Sequence, residues 1–274
     1  MSFLLSEVCF AQEKGEDQYA NLSHNSTLLG WGTYSLRDTY LSPLEYTGWG
    51  IRLLDDRMRM TNLMQGKVST QQLVNVDFSS TESRVASASD YSFLLDYSYG
   101  GHYHFKPTSK LSLLMGSQLN FNLGAIYNTR NGNNPVSAKA GVNLNFSGIA
   151  NYSFNIWKRP FTLRYQMDMP LVGVLFSPRF GQSYYEISLG NYEGLAHFVS
   201  FGQPLNMKNY LTLEVPLASS TIRFTYLNSV YQTDVNLLKT KISSNTFMIG
   251  LAKDIFSVPL GQNKKQSNYR RVFD

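Results

Sequence analysis

The feature that most constrains this chain is a strict alternation of apolar and polar residues over long stretches. A period of two is typical of a β-strand whose two faces meet different surroundings. The clearest stretches are 91–105, 110–127, 138–156 and 161–171, with weaker ones at 210–217 and 221–231. Such lengths exceed the roughly five or six residues usual in soluble proteins and suit tilted strands that cross a bilayer. We therefore predict an all-β fold, a single antiparallel transmembrane β-barrel, with a soluble β-sandwich as the alternative.

The composition agrees with a barrel of this kind. Charged residues make up 16% of the chain and aromatic residues 14%. The low charged fraction and the high content of aromatic residues favour strands over helices. Aromatic residues near predicted strand ends are typical of the girdles of outer-membrane barrels. These residues are Tyr103, Phe105, Tyr127, Tyr152 and Phe154. The absence of any apolar run of about 18 residues excludes a conventional membrane-spanning helix.

The strand pattern predicts a barrel of about twelve strands, an even number, with ten or fourteen as alternatives. The predicted strands are 27–37, 45–58, 68–80, 89–105, 109–127, 137–156, 160–171, 183–191, 194–202, 208–217, 219–231 and 244–256. From the third strand on, tight turns alternate with longer connections. The tight turns are predicted at 106–108, 157–159, 192–193 and 218, and the longer loops at 81–88, 128–136, 172–182 and 232–243. Short turns face the periplasm in such barrels, so both termini are predicted to be periplasmic.

The two ends of the chain differ in character from the barrel. Residues 1–11 resemble the remnant of a secretory signal peptide, with the small residues Cys9 and Ala11 before a cleavage position. We expect a periplasmic segment over 12–26, the barrel over 27–256 and a basic periplasmic tail over 257–274. The net charge is +5, and much of it lies in that tail, so the nearly balanced remainder argues against a nucleic-acid partner.

Charged residues on the polar face of the strands are predicted to line the barrel interior. Balanced charges in a narrow interior pair with one another, because an unpaired buried charge costs several kcal/mol. The candidate lumen charges are Arg52, Asp96, Lys110, Lys139, Arg164, Asp168, Glu186, Glu214, Arg223 and Asp254. We expect them to hold together a partly plugged barrel, with selective conduction as the alternative.

The residues that could carry chemistry do not form a recognised catalytic or metal-binding set. His102 and His104 share a strand face, but a metal site needs at least about three convergent ligands. For a membrane-embedded lipid enzyme the one candidate pair is His197 with Ser200, whose opposite parity argues against it. We predict no catalytic residues, no bound cofactor and no metal.

Two segments, 38–50 and 170–191, are predicted to form outer loops that fold into the barrel mouth together. Each contains a Ser-Pro step followed by aromatic residues and a carboxylate, and proline pre-sets a turn. The candidate motif residues are Ser42, Pro43, Glu45, Tyr46, Ser177, Pro178, Arg179, Tyr184 and Tyr185. Two roles remain open for these loops: a lid or docking surface, and a purely structural closure of the barrel.

In these segments the sequence resembles a Bacteroidetes-lineage family of outer-membrane β-barrels catalogued as a domain of unknown function. The matching stretches are TYLSPLEYTG with the following Arg59-Met60-Thr61, FSPRFGQSYYEISLGN, and NLLKTKISSNTFMIGLAKDIF. The resemblance covers most of residues 27–256. It implies the fold and a location in the outer membrane of a Gram-negative bacterium, and it implies no catalytic or ligand-binding residue.

The predicted function is structural. We expect a non-enzymatic barrel that contacts outer-membrane lipid, acting as an accessory subunit of an outer-membrane assembly or transport complex with other outer-membrane or periplasmic proteins. The alternatives are a narrow channel for small solutes and the lipid enzyme considered above.

Overall fold

The alternating segments form the wall of an antiparallel barrel. The structure, a computed structural model, describes residues 22–85, 87–157, 159–200, 205–217 and 220–256. Its strands are β1 (Leu22–Asp38), β2 (Ser42–Met60), β3 (Val68–Ser83), β4 (Ser89–Phe105), β5 (Leu111–Asn128), β6 (Val136–Ile156), β7 (Arg159–Phe176), β8 (Ala196–Ser200), β9 (Leu205–Pro216), β10 (Thr221–Val235) and β11 (Leu238–Phe256). One short helix, α1 (Tyr184–Ser188), lies between β7 and β8.

Ten strands close the barrel, and β8 is one extra strand. Each strand pairs with its sequence neighbours up to β7, and β1 closes the ring by pairing with β11 from Leu22↔Phe256 to Asp38↔Thr240. β8 and β9 both pair with β7, β8 with its last part and β9 with its earlier part. They therefore occupy one position in the wall. Because the predicted strand 183–191 also contains the helix α1, the twelve predicted strands reduce to ten positions in the ring, which is the lower of the two alternative counts.

The barrel buries its polar face and exposes its apolar face. On β3 the inward side chains include Gln71, Asn75 and Asp77, which are all buried, whereas Phe78 points outward and is exposed. Trp31 and Leu123 likewise point outward and are 65% and 61% exposed. A soluble sandwich would bury the apolar face instead. The closed ring and the reversed faces contradict the β-sandwich alternative.

The strand directions define the two ends of the barrel. The end that holds the connections β1–β2, β3–β4, β5–β6, β7–β8 and β10–β11 is called the loop end here, and the opposite end is called the terminal end. β1 begins and β11 finishes at the terminal end. The longest connection, between Phe176 and Ala196, lies at the loop end. Among the described residues, no helix is both long and apolar enough to cross a membrane.

Several predicted segments differ from the structure. The predicted strand 183–191 contains α1, because Ser183 and Glu186 form a capping box that starts a helix. The predicted loop 232–243 belongs mostly to β10 and β11, which meet in a two-residue turn at Asn236 and Leu237. Both turn residues have positive φ, the geometry that joins two twisted strands tightly.

The predicted loop 38–50 is also mostly strand, since β2 begins at Ser42. The tight turn predicted at 192–193 lies within the long β7–β8 connection, and the one at 218 lies outside the described residues. β1 begins at Leu22, before the predicted barrel start at residue 27. The predicted signal-peptide remnant 1–11, residues 12–21 and the tail 257–274 lie outside the described part of the chain.

Candidate functional site

The barrel interior is filled in layers, which can be read along β2. From the loop end to the terminal end, the inward residues of β2 include Tyr46, Arg52, Leu54, Asp56 and Met58, and all of them are buried. Apolar and charged residues thus follow one another along the axis. The interior is the candidate functional site because its openness distinguishes a channel for solutes from a closed structural barrel.

An apolar layer lies near the middle of the interior. Six side chains from six neighbouring strands form it: Leu28, Leu54, Leu73, Tyr210, Leu227 and Met248, each at most 5% exposed. The opposite wall contributes buried polar side chains, among them Gln118, Asn120 and Ser147. The apolar side chains raise the free-energy cost of moving an ion past this level, because they offer no hydrogen bonds to replace its hydration.

A network of charged and amide side chains lies on the terminal-end side of the apolar layer. The Asp56 carboxylate accepts hydrogen bonds from Arg164 at 3.3 Å, from Arg223 at 3.0 Å and from the Gln71 amide at 2.8 Å. Because Asp56 is on β2 and Arg164 is on β7, this contact crosses the interior. We call these four residues and their partners the Asp56 network.

The Asp56 network continues through further contacts to most of the wall. Arg223 Nε lies 3.2 Å from the Glu214 carboxylate, and the Gln71 amide donates to Gln166 at 3.1 Å. His24 lies 2.7 Å from Asp254 and 3.7 Å from Glu214. A buried charge that has several partners is stabilised, whereas one that loses a partner is strongly destabilised. The network therefore fixes the position of strands that are far apart in the chain.

A small cavity with charged and apolar side chains in its lining lies on the loop-end side of the apolar layer. Its volume is about 60 Å³, and its lining includes Tyr34, Arg52, Asp77, Asp96 and Lys208. Arg52 Nε donates to Asp77 at 2.5 Å, Tyr34 donates to the same carboxylate at 2.5 Å, and Lys208 forms an ion pair with Asp96. This volume suffices for a few water molecules and is too small for an organic solute.

A second apolar cluster closes the interior at the loop end. Its buried members are Leu36, Leu41, Tyr46, Ala88, Ile126 and Ile242. Beside it, the Lys139 ammonium lies 2.7 Å from the Asp38 carboxylate. The Asn128 amide donates to the Tyr46 hydroxyl at 3.0 Å. The loop-end mouth is therefore packed with side chains rather than open.

The long β7–β8 connection, 177–195, lies over this mouth. The Tyr40 hydroxyl donates to the Gln182 carbonyl at 2.9 Å, and the backbone N–H of Ala138 donates to the Tyr184 hydroxyl at 2.6 Å. The Tyr40 and Tyr184 rings pack edge to face at 5.6 Å. Burial, with smaller contributions from nearby acidic groups, raises the pKa of Tyr40 to about 12. The connection is therefore bound to β6 and to the β1–β2 turn on the far side of the mouth.

Asn236 holds the base of the same connection. Its side-chain amide donates to the carbonyls of Ser177 at 3.1 Å, Pro178 at 3.2 Å and Gly194 at 3.1 Å. His197 contacts both Gly194 O at 2.7 Å and the Asn236 amide at 2.8 Å. His197 is thus occupied by contacts that hold the connection in place.

Most of the predicted lumen charges face the interior, with two exceptions. Those on the inward face of the barrel are Arg52, Asp96, Lys139, Arg164, Asp168, Glu214, Arg223 and Asp254. Lys110 lies in the exposed β4–β5 turn, and Glu186 lies on α1, where it caps the helix. The prediction is wrong for these two residues because it extended the strands through segments that form a turn and a helix.

Sequence reasoning missed several interior charges. Asp56 lies two and four residues beyond Leu54 and Arg52 on the same strand face, so its parity already places it inside. Asp77 follows in the same way from the parity of β3. Lys208 begins the described pairing of β9 with β7, where alternation in the sequence is weak. The signal was therefore present for Asp56 and Asp77, and also for Lys208, because Lys208 lies on the same strand face as the predicted lumen residue Glu214.

The predicted outer-loop residues do not form one cluster. Pro43 and Glu45 lie on the exposed start of β2, Ser42 is half-buried, and Tyr46 points into the interior. Ser177 and Pro178 are buried at the base of the long connection, while Arg179 and Tyr185 are exposed. Tyr184 comes close to Tyr40 of the first segment, so the two segments do meet, through these two rings.

Ser69 and His104 form a serine–histidine contact of 2.8 Å near the terminal end of the interior. A nucleophile must reach its substrate, and Ser69 is fully buried. Among the described residues no three His, Cys, Asp or Glu side chains converge to hold a metal ion. The described interior is filled with packed apolar and hydrogen-bonded polar side chains.

Several solved structures are similar to this chain over most of its length. The chain is similar to the transport unit of the autotransporter AIDA-I from Escherichia coli, with a TM-score of 0.50 and 10% identity over 93% of this chain and 94% of that one. It is also similar to the outer membrane protease OmpT from Escherichia coli, with a TM-score of 0.49 and 7% identity over 88% and 98%. At such identities the similarity to the AIDA-I unit shows the fold alone.

The translocator domain of the autotransporter NalP from Neisseria meningitidis matches with a TM-score of 0.42 and 9% identity, over 85% of this chain and 88% of that one. No curated protein is significantly similar to the chain. The model of one protein family matches residues 1–262, nearly the whole sequence. The chain belongs to this family, DUF3316, whose members are described as proteins of unknown function.

Proposed function

We propose that the protein spans the outer membrane of a Gram-negative bacterium as a closed, non-enzymatic barrel with a structural or accessory role. The observation that carries this proposal is the filled middle of the interior, where six buried apolar side chains on one side face buried polar side chains such as Gln118 and Asn120 on the other. The packed loop-end cluster supports it, because a solute would have to displace a second apolar layer there. Exposed outward residues such as Trp31 and Leu123 support a lipid environment.

The proposed orientation has the loop end outside the cell and both termini in the periplasm. In outer-membrane barrels the longer connections are extracellular and the short turns periplasmic. The longest connection of this chain lies at the loop end, and both the first and the last described strands have their chain ends at the terminal end.

Conductance in a planar bilayer tests the closed interior. We expect the wild-type protein to give no discrete current steps under conditions in which a known porin does. Leu54→Ser with Leu227→Ser would place two hydroxyls in the apolar layer, and we expect this variant to admit water and to pass brief currents. Leu53→Ser, which changes an outward neighbour, is the matched control. Steady wild-type currents would instead support a narrow channel.

The accessory role requires partners among outer-membrane or periplasmic proteins. Extraction of the full-length protein in mild detergent, followed by measurement of its native size, tests this part of the proposal. A stoichiometric complex would support a subunit of an assembly or transport machine, and a lone barrel would leave a purely structural role.

For a lipid enzyme, His197→Ala would have to abolish lipid hydrolysis. His197 is already held by Gly194 and Asn236, and Ser200 lies on the opposite strand face.

A further inference from the structure

A polar groove lies on the outer surface of the barrel wall, along β1 and between β2 and β11. Its volume is about 430 Å³. The outward side chains that line it carry hydroxyl or amide groups: Thr33, Ser35, Thr47, Ser243 and Asn245. Polar groups on the outer wall of a membrane barrel require hydrogen-bonding partners that lipid tails do not supply.

The apolar surface is short on this side of the barrel. The outward apolar residues of β1 are Leu29 and Trp31, those of β2 run from Trp49 to Leu53, and those of β11 run from Phe247 to Leu251. Three alternate residues extend roughly 13 Å along a strand, well below the apolar band of about 25 Å on such barrels. On β5, by contrast, outward apolar residues extend from Leu111 to Tyr127. The groove therefore lies where a bilayer of full thickness would cover polar surface.

Two cations face each other at the loop-end edge of the groove. Arg37 on β1 and Lys241 on β11 are direct cross-strand partners, and both point outward and are exposed. Like charges that are directly opposite destabilise a strand pair. An anion that contacts both cations would remove this repulsion, and a phosphate group fits because it accepts hydrogen bonds from arginine and lysine together.

The nearby carboxylates are occupied by other groups. Asp234 forms an ion pair with Lys239 at 3.4 Å, and Glu45 accepts a hydrogen bond from the Ser35 hydroxyl. Within the described part of the chain, neither Arg37 nor Lys241 forms an ion pair. The neutral Ser35 hydroxyl does not remove the charge of Glu45, but Arg37 and Lys241 together outweigh this one carboxylate, so the edge keeps a net positive charge for an external anion.

We propose that the groove binds the phosphorylated headgroup of a membrane lipid in the outer leaflet. The phosphate contacts Arg37 and Lys241, and the hydroxyl and amide side chains below it bind the remaining polar atoms of the headgroup. The lipid thereby sits deeper than its neighbours, and the bilayer thins locally to match the short apolar surface. This inference rests on the proposed membrane-spanning role.

Tryptophan quenching by brominated lipid tests the site, because two of the three tryptophans lie beside it. Trp31 and Trp49 point outward on β1 and β2, whereas Trp157 lies in the β6–β7 turn at the terminal end. Every protein in this experiment carries Trp157→Phe, so that the fluorescence comes from Trp31 and Trp49. The full-length protein is reconstituted in two kinds of phosphatidylcholine vesicle. In the first, a minor fraction of the lipid is brominated phosphatidic acid. In the second, an equal fraction of the lipid is brominated phosphatidylcholine. We expect a roughly tenfold local enrichment of the anionic lipid, since each nearby cation favours it.

The variant R37A/K241A should abolish the preference for brominated phosphatidic acid. The matched control is R84A/R130A, which removes two exposed cations from other connections at the same end and should leave the preference unchanged. Equal quenching by both lipids in the wild type, or an equal loss of preference in both variants, would overturn the proposed site. Inorganic phosphate at matched ionic strength should not compete, and full competition would assign the site to the free anion instead.

The same data separate the two proposals. Any quenching of the wild-type fluorescence by brominated phosphatidylcholine shows that Trp31 and Trp49 contact lipid and that the barrel is in the membrane. If this lipid quenches and brominated phosphatidic acid does not, the headgroup site fails. If neither brominated lipid quenches it, the membrane-spanning role itself fails. If both quench it to the same extent, the membrane-spanning role holds and the headgroup site fails.

Discussion

Asp56 is the residue on which the interior network depends most. One carboxylate accepts hydrogen bonds from two arginines on distant strands, Arg164 on β7 and Arg223 on β10. All three side chains are almost completely buried. At such a site the surrounding hydrogen bonds decide whether the charges are tolerated, and here Gln71 supplies one of them. The barrel thus has a polar core whose stability depends on complete pairing.

We predict that Asp56→Asn lowers the free energy of unfolding by about 3–5 kcal/mol, because it leaves two buried arginines without their shared carboxylate. Urea unfolding of the detergent-solubilised protein measures the change. Asp55→Asn is the matched control, since Asp55 points outward and pairs with the exposed Arg57, and such a pair contributes at most about 1 kcal/mol. Equal effects of the two substitutions would show that the network is not a stabilising element.

At the scale of elements, the long β7–β8 connection is a cover built from local and distant contacts. Locally, the Ser183–Glu186 capping box starts α1. At a distance, Asn236 in the tight β10–β11 turn binds three carbonyls of the connection, and Tyr40 binds a fourth. The cover is therefore held by two turns that are remote from it in sequence.

We predict that Asn236→Gly releases the base of this cover while it keeps the positive φ that the turn needs. The lost hydrogen bonds amount to about 1–2 kcal/mol, which corresponds to roughly tenfold faster trypsin cleavage after Arg179. Limited proteolysis of the reconstituted protein measures this rate. Leu237→Asn changes the exposed neighbour in the same turn and should leave the cleavage rate unchanged. Faster cleavage of this control variant would show that a disturbed turn, and not the loss of the Asn236 amide, releases the connection.

For the whole molecule, the outer wall is asymmetric. Outward apolar residues cover β5 along its length, whereas polar residues occupy the loop-end part of β1 and β11. Thr33 pairs with Trp49 on one side and with Asn245 on the other, so the apolar surface already ends at this level. The two sides of the barrel therefore fit bilayers of different thickness.

Lysine substitutions on the two sides test this asymmetry. Leu123→Lys places a cation on the full-length apolar side and should cost about 2–4 kcal/mol of folding free energy in vesicles, whereas Thr33→Lys on the polar side should cost at most about 1 kcal/mol. Both residues lie in the loop-end half of their strands and point outward. Folding equilibria in vesicles measure the two values, and similar costs would mean that lipid covers both sides equally.

The sequence by itself determined the fold class, the inward or outward direction of most strand residues, and much of the interior charge. Arg52, Arg164 and Arg223 were assigned to the interior from alternation alone, because the side-chain period of a strand is two wherever the strand occurs. Residues 52, 54 and 56 lie on the same strand face, so the same reasoning places Asp56 in the interior. A local pattern is sufficient for such assignments, since they depend only on which face a residue occupies.

Only the tertiary structure decided the strand count, the pairing partners and the closure. β8 and β9 read as two strands, but they share one position beside β7, and no local pattern reveals that. Which cation meets Asp56 depends on the register of strands that are far apart in the chain. The same holds for the pair of Arg37 and Lys241, which exists because the first and last strands of the barrel close the ring. Register and closure arise from the whole set of strand pairings, so they are properties of the assembled wall rather than of any one segment.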